Sequence, residues 1–211
     1  MASGGGRKAN ACRADGIGSR RIAHARCVDA ANPCPMACQA YPSSDWNHMD
    51  IRTLGAHDLE LVCRHREEMF RDAGRSDDVL SPMTTHFREW VRPRLQDGSY
   101  FGFVMLDDGA PVAGIGLMLI EWPPHPEHPA SDKRGYVLNV FVEPAYRKRG
   151  LARELMKLAD DEFVRRGVGY AVLHATQKGR PLYQGLGWNG TTEMAKALAV
   201  PLNGEGGRDV P

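Results

Sequence analysis

Apolar residues recur along 50–200 with two different periods, and each change of period marks the boundary of an element. Spacings of three and four residues over 58–73, 81–93 and 151–166 predict amphipathic helices, and a short helix is predicted over 180–186. Short apolar or alternating runs predict strands over 51–54, 100–106, 110–122, 136–142, 170–175 and 191–200. The predicted order is β-α-α-β-β-β-α-β-α-β, a mixed α/β fold.

Turn residues indicate how these segments connect. Asp107-Asp108-Gly109 separates the second and third strands and predicts an antiparallel hairpin. The helix over 151–166 joins two strands, and a helical crossover predicts that these two strands are parallel. Asp58 is predicted to cap the first helix, and Ser81-Pro82 to begin the second. The sheet is therefore predicted to be mixed.

The composition narrows the class of protein. With 42% hydrophobic and 25% charged residues, a chain of 211 residues is ordinary for a soluble globular protein. The longest apolar run, 111–120, is interrupted by Gly114 and Gly116 and is shorter than the ~20 residues that cross a bilayer. A net charge of +1 argues against a dedicated nucleic-acid binder. We expect a cytoplasmic protein with no membrane or nucleic-acid partner.

Residues 1–48 differ from the rest of the chain. They are rich in Gly, Ala, Arg and Pro and show neither period, which predicts a leader that does not fold on its own. Four of the five cysteines lie there, but no second pair follows Cys34 and Cys38 at a zinc-ligand spacing. We divide the chain into a leader over 1–48, a domain over 49–202 and a frayed tail over 203–211. Our hypothesis is that translation begins at Met49.

The strand over 136–142 leads into a basic turn, Tyr146-Arg147-Lys148-Arg149-Gly150-Leu151-Ala152, at the start of a helix. A helix N-terminus presents unpaired N–H groups and the positive end of the helix dipole, and Gly150 allows a ligand to approach the backbone closely. The turn therefore predicts a phosphate or pyrophosphate site. The alternative is a basic, solvated turn.

The spacing Arg147-x-x-Gly150-x-Ala152 resembles the Arg/Gln-x-x-Gly-x-Gly/Ala signature of the GNAT superfamily of acetyl-CoA-dependent N-acetyltransferases, in which this loop holds the CoA pyrophosphate. A second stretch, Leu182-Tyr183-Gln184-Gly185-Leu186-Gly187-Trp188, is similar to the closing signature of that family. The element order also matches, so the resemblance covers nearly all of 50–200. It implies acetyl-CoA as co-substrate, an amine as acceptor, and no metal.

The resemblance assigns the cofactor to two stretches. One is the basic turn, of which the ligand-facing residues would be Arg147, Lys148, Arg149, Gly150, Leu151 and Ala152. The other is the strand before it, which in the family splays from its parallel neighbour and offers the backbone of Val140, Phe141 and Val142. The N–H of Val142 is the candidate oxyanion donor, while the side chains of Val140 and Val142 are also consistent with core packing. Alternation predicts Asn139 and Phe141 on one face of this strand, opposite Leu138, Val140 and Val142.

The catalytic roles also come from the resemblance. Tyr183 aligns with a tyrosine that protonates the departing thiolate, although a packed helix aromatic is the structural alternative. His174 aligns with the base position of the branch that acetylates ribosomal-protein N-termini, and a histidine titrates near neutral pH. Its alternative is a strand histidine satisfied in the core. Glu121, His125 and Tyr136 are further candidates for the base, and an amine that arrives neutral needs none.

The acceptor is less constrained than the cofactor. Asn139, Glu121 and His125 are predicted to face it, together with the first two helices and the proline-rich loop over 122–135. His125 and His128 could hold a metal instead, but a third ligand is missing. After His174 the chain lacks the Arg-x-Ser-Asn segment of the ribosomal-protein branch, which leaves Lys178 or Arg180 to replace its contact with CoA. An idle acyl-CoA-binding module is the alternative function, and a homodimer is among the open oligomeric states.

Overall fold

The computed structural model describes residues 49–197, which are built around a five-stranded sheet in the order β1-β2-β3-β4-β5. The first four strands pair antiparallel with their neighbours, and β5 pairs parallel with β4. The predicted mixed α/β fold, the hairpin and the parallel pair are confirmed. The strands are β1 (Asp50–Thr53), β2 (Tyr100–Asp107), β3 (Ala110–Glu121), β4 (Lys133–Val142) and β5 (Ala171–Leu173).

Four α-helices cover the sheet in the part of the chain that the structure describes. Helices α1 and α2 pack on one face, and α3 packs on the other. Over 49–197, none of the helices has the length and apolar character needed to cross a membrane. The helices are α1 (Leu59–Asp72), α2 (Asp77–Asp97), α3 (Leu151–Arg165) and α4 (Arg180–Gln184).

The face under α3 is apolar. Leu155, Met156 and Ala159 of α3 have no exposed surface and pack against side chains of β2, β3 and β4. The ring of Phe163 lies directly over Gly135, where a Cβ atom would come within 2.8 Å of it. The helix therefore approaches the sheet closely at the start of β4, where β4 also pairs with β5.

The face under α1 and α2 has a smaller hydrophobic cluster, formed by Val62, Cys63, Phe87, Val91, Leu95 and Tyr100. Cys63 is a free thiol with 1% of its surface exposed, and burial raises its pKa. Unlike the α3 face, this face also buries His65 and Asn139. The two sides of one sheet thus differ in chemistry.

Helix α2 corrects one predicted boundary, because it begins at Asp77 and not at Ser81. Ser76 is extended, and Asp77 and Asp78 occupy the first turn, where acidic side chains interact favourably with the helix dipole. Burial of Leu80 draws the residues before Pro82 into the helix. The helix is thus longer than predicted at both ends, and Pro82 and Pro93 both lie within it.

Asp58 is not the predicted side-chain cap of α1. Its carboxylate accepts two hydrogen bonds from Arg52, at 2.7 and 2.8 Å, and one from the N–H of Gly55 at 2.9 Å. Burial opposes ionisation, but these bonds hold the pKa of Asp58 below its usual value. The residue fastens β1 to the start of α1.

The predicted last strand is not formed over 191–197, and residues 198–200 lie outside the described residues. The segment lies on the surface, and Met194 is 98% exposed. The contacts of Glu193 are a bond to Thr191 and an ion pair with Arg134. The outer edge of β5 therefore has no strand partner among the described residues. The predicted leader over 1–48 and tail over 203–211 also lie outside them.

Candidate active site

Strands β4 and β5 separate after three residue pairs. Gly135, Tyr136 and Val137 pair with Ala171, Val172 and Leu173, and β4 then continues to Val142 without a partner on that side among the described residues. Backbone groups of the second half of β4 are consequently open to a ligand. These include Val140, Phe141 and Val142, the residues predicted to hold the acyl arm of the cofactor.

A bulge in β4 lies where the two strands part. The register against β3 shifts between Gly114 and Gly116, and Asn139 has a left-handed φ of 54°. The bulge corrects the predicted alternation, since Leu138 packs on the α1/α2 face together with Asn139, while Val140 and Val142 pack on the α3 face.

The side chain of Asn139 is buried and fully engaged at the bulge. Its Nδ2 donates to the Tyr100 hydroxyl at 2.8 Å, and its Oδ1 accepts from Arg66 at 2.8 Å. Burial raises the pKa of Tyr100, so the phenol stays protonated. Asn139, predicted to face the acceptor, therefore holds the bulge in place through internal hydrogen bonds.

The basic turn begins after β4 and ends at α3. Lys148 and Gly150 have φ values of 63° and 88°, and α3 starts at Leu151. Glu154 is the first residue of the helix whose N–H bonds a backbone carbonyl, that of Gly150 at 3.1 Å. The N–H groups at the helix start are therefore available to an anion. The side chain of Leu151 belongs to the core, so it can offer a ligand only its backbone.

Arg147 of the turn and Lys178, which lies between β5 and α4, both contact Asp72 at the end of α1. The Arg147 guanidinium donates to the Val142 carbonyl at 3.0 Å and forms an ion pair with Asp72. Lys178, a predicted substitute contact to CoA, donates to the backbone carbonyl of Asp72 at 3.3 Å. Arg149 lies over the ring of Tyr146, with 4.9 Å between its Cζ and the ring centroid. Arg147 and Lys178 are thus fixed by protein partners on one side of the turn.

The two predicted catalytic residues lie beyond the point where the strands part. Tyr183, on α4, packs against the α3-side cluster, and burial raises the pKa of its phenol. His174 follows β5 directly and is exposed, with its ring centroid 5.9 Å from that of Tyr136. The alternative of a core histidine is therefore wrong for His174.

Tyr183, His174 and His125 line one broad cleft of about 1040 Å³. The cleft follows the outer edge of β5 and is closed by residues 188–195. Because its wall is the unpaired edge of the sheet, we attribute its size to that edge and not to an acceptor pocket. Arg180, the second predicted substitute contact, also lines this cleft. Glu121 ends β3 and is exposed.

The proline-rich loop is fastened by a buried arginine. The Nε of Arg134 donates to the Nε2 of His128 at 2.7 Å, and the Nδ1 of His128 lies 3.1 Å from the Ser131 carbonyl. The Arg134 guanidinium also stacks on Trp122, 4.3 Å from the ring centroid. Both nitrogens of His128 are thus engaged, and no group of three metal-binding side chains occurs within 49–197. His125 remains exposed in the loop.

Sequence reasoning missed Arg66 and His65, which approach the bulge from α1. His65 is 3% exposed and stacks on Phe141 with 4.8 Å between centroids, and the Nε2 of His65 has no hydrogen-bond partner. Arg66 lies in the apolar stripe of α1, four residues from both Val62 and Phe70. A charge at a core position of an amphipathic helix was the signal that could have found it.

A family model for the GNAT acetyltransferases matches residues 61–188, more than half of the chain. The chain belongs to the GNAT acetyltransferase family. Transfer of an acetyl group from acetyl-CoA is the general reaction of GNAT enzymes. The basic turn and the parting of β4 from β5 both lie within the matched range.

Solved structures agree with this assignment. The GNAT chain is 59% identical to a GCN5-related N-acetyltransferase from Ralstonia eutropha JMP134, over 71% of this chain and 98% of that one, with a TM-score of 0.70. A predicted acetyltransferase from Clostridium acetobutylicum, solved with acetyl-CoA, is 22% identical over 71% and 96% of the two chains, with a TM-score of 0.63.

A third GNAT structure has a fold similar to that of this chain. The aminoglycoside N-acetyltransferase AAC(6')-Iy, in complex with a bisubstrate analogue, is 19% identical over 72% and 99% of the chains, with a TM-score of 0.55. The comparison with curated proteins finds no significant match.

Proposed function

We propose that this protein is an acetyl-CoA-dependent N-acetyltransferase that acetylates a primary amine of a small molecule or peptide by direct attack in a ternary complex. The observation that carries the proposal is the parting of β4 from β5 beside the N-terminus of α3. The unpaired part of β4 would admit the acyl arm of the cofactor, and the same strand leads to the anion site at the start of α3. The acetyl-CoA bound to the Clostridium relative supports the same cofactor here.

The residues of this chain fit the cofactor in two places. The free N–H groups at the start of α3, with Lys148, Arg149, Gly150 and Ala152 around them, suit the pyrophosphate. The open backbone of Val140, Phe141 and Val142 suits the pantetheine arm and the acetyl carbonyl. The side chains of Val140 and Val142 pack in the core, which is compatible with cofactor binding by their backbone.

The acceptor amine would attack the thioester carbonyl, forming a C–N bond as the C–S bond breaks. In our proposal the Tyr183 phenol gives its proton to the departing sulfur, and burial keeps that phenol protonated at neutral pH. His174 is the candidate to take the proton that the amine loses, directly or through water. Tyr136, against the His174 ring, and the exposed Glu121 and His125 remain alternative bases.

The first test addresses the cofactor site. Gly150→Asp places a carboxylate at the helix start, so we expect it to abolish the rise in melting temperature that acetyl-CoA gives the wild type. Gly98→Asp is the matched control, because Gly98 also has a positive φ and open space around it. Undiminished protection of Gly150→Asp would place the cofactor elsewhere.

The second test addresses proton donation and separates an enzyme from an idle acyl-CoA-binding module. CoA release from acetyl-CoA, followed by chromatography across a panel of amines, should detect turnover by the wild type. Tyr183→Phe should lower kcat by about 100-fold without weakening protection by acetyl-CoA. Tyr170→Phe, at the start of the same cleft, is the control. Binding of acetyl-CoA without acetylation of any amine would favour the idle module.

A further inference from the structure

Arg66 is an arginine without a carboxylate partner beside the proposed acetyl position. Its guanidinium lies between two rings, with its Cζ 5.0 Å from the centroid of Phe70 and 4.5 Å from that of Phe87. Its NH1 donates to Asn139 at 2.8 Å, while its buried Nε has no partner. Within 49–197, Arg66 forms no ion pair with an acidic residue.

Three other arginines of α1 and α2 are paired with carboxylates. Arg64 bonds Glu143 at 2.7 Å, Arg71 bonds Glu67 at 2.7 Å, and Arg88 bonds Glu60 through two nitrogens at 2.8 and 3.0 Å. Those pairs lie on the outside of the two helices, where solvent would stabilise the charge in any case. Arg92 and Arg94 of α2 also form no ion pair within the described part of the chain, but Arg92 is exposed and Arg94 donates to the backbone carbonyl of Trp90 at 2.6 Å. Arg66 differs from both because it bonds the buried Asn139 and its Nε is buried without a partner, where an uncompensated charge is costly.

The surroundings of Arg66 place it on the acceptor side of the reacting centre. Its bond to Asn139 reaches the bulge at which β4 leaves β5. Tyr136 lies close enough to be influenced by the Arg66 charge, and the ring of Tyr136 contacts His174. The basic turn, by contrast, begins four residues beyond Val142. Arg66 thus lies near the candidate base and apart from the pyrophosphate site.

The geometry of stacking restricts what Arg66 can bind. Rings that cover the faces of the guanidinium leave its edge for hydrogen bonding, and a carboxylate matches an arginine edge with two parallel hydrogen bonds. We propose that Arg66 binds a carboxylate of the acceptor, so that the substrates are amines that also carry a carboxylate, such as amino acids. This inference rests on the proposed function.

The test compares acceptors that differ only in the carboxylate. Amino acids, their amides and the corresponding decarboxylated amines are offered to the full chain with acetyl-CoA, together with phosphoethanolamine as a phosphate-bearing amine. We expect kcat/KM of the wild type to be about 100-fold higher for the amino acids than for their amides. Arg66→Met should remove that preference chiefly through the KM for the acceptor, and Arg66→Lys should restore part of it.

Two controls separate recognition from folding and from cofactor binding. Arg88→Met removes the same charge from the outer face of α2 and should leave the preference intact. The KM for acetyl-CoA should be unchanged in Arg66→Met. If Arg66→Met does not fold, the preference of the wild type and of Arg66→Lys still decides the question.

Several results would contradict carboxylate binding by Arg66 and still be consistent with N-acetyltransferase activity. These are equal turnover of amino acids and amides, a preference for phosphoethanolamine, or a raised KM for acetyl-CoA in Arg66→Met. Binding of acetyl-CoA with no acetylated amino acid would also overturn it. Failure of the proposed function looks different, since no amine of any class would then be acetylated, whether or not acetyl-CoA binds.

Discussion

The two faces of the sheet are built from different kinds of side chain. Under α3, Leu155, Met156 and Ala159 meet an apolar surface. Under α1 and α2, the sheet meets His65, Arg66 and other polar groups within the same layer. Buried polar groups are costly unless they are paired, so a fold that keeps unpaired ones on one face has a use for them there. We infer that the α3 face supplies most of the stability, while the α1/α2 face holds the polar groups that we assign to the acceptor.

The polar face depends on two glycines of β3, Gly114 and Gly116, which leave space for the side chains of that face. A Cβ atom at Gly116 would lie 1.9 Å from the Tyr100 hydroxyl oxygen, and one at Gly114 would lie 2.9 Å from the Nδ1 of His65. The two glycines alternate with Ile115 and Leu117, which point toward α3. One strand therefore provides bulk to the apolar face and space to the polar face.

The largest expected effect is on the α3 face. Leu155→Ala removes a side chain with no exposed surface, so we expect the free energy of unfolding in urea to fall by about 3 kcal/mol. Activity per folded molecule should change much less than stability, because Leu155 has no exposed surface with which to contact a ligand. Val164→Ala, at a position 72% exposed on the same helix, is the control and should change little. Equal losses from both substitutions would contradict the assignment of stability to this face.

A smaller effect is expected from His65 on the polar face. Burial, with a lesser effect of the Arg64 charge, lowers the pKa of His65 to about 4 in the folded protein, whereas an unfolded histidine titrates near 6.5. Between pH 4 and pH 6.5 the unfolded state binds more protons than the folded state. The free energy of unfolding is therefore highest above pH 6.5 and decreases as the pH falls toward 4. The decrease due to His65 between pH 7 and pH 5 should be about 2 kcal/mol.

The measurement is the free energy of unfolding in urea at pH 7 and pH 5. His65→Gln lacks the titrating ring, so its stability should depend less on pH than that of the wild type. His57→Gln, which removes a histidine with a 72% exposed side chain, should keep the wild-type dependence. A pH dependence that is the same with and without His65 would show that this face does not bury a neutral imidazole.

The smallest effect is expected outside the polar face. Arg88 of α2 pairs with Glu60 of α1 on the solvent side, where hydration competes with the ion pair. Arg88→Gln should therefore leave the unfolding midpoint in urea unchanged within experimental error. A clear loss of stability would mean that the two helices rely on their outer charges and would weaken the contrast between the faces.

Elements with strong local signals could be predicted from the sequence. The hairpin followed from Asp107-Asp108-Gly109, and α3 followed from the spacing of its apolar residues. The basic turn could be placed at a helix start because a glycine and three cations follow a strand. Each of these depends on neighbours in the chain, so their positions needed no knowledge of distant contacts.

Features that depend on distant contacts could not be predicted in this way. The bulge at Asn139 is held by Tyr100 and Arg66, which lie far from it in sequence. The start of α2 depends on the burial of Leu80 against neighbouring elements. Asp58 had the right type and place for a helix cap, but Arg52 competed for its carboxylate. In each case a tertiary partner decided between local alternatives.

Cys63 provides a way to observe the polar face in motion. It is the single cysteine among residues 49–197, and it lies on α1 with its thiol buried in the cluster formed with α2 and β2. A thiol reagent can reach it only when this cluster opens, so the rate of alkylation of Cys63 measures how often the polar face opens. With the four leader cysteines replaced by serine, that rate would compare the opening of the free protein with that of the protein bound to acetyl-CoA.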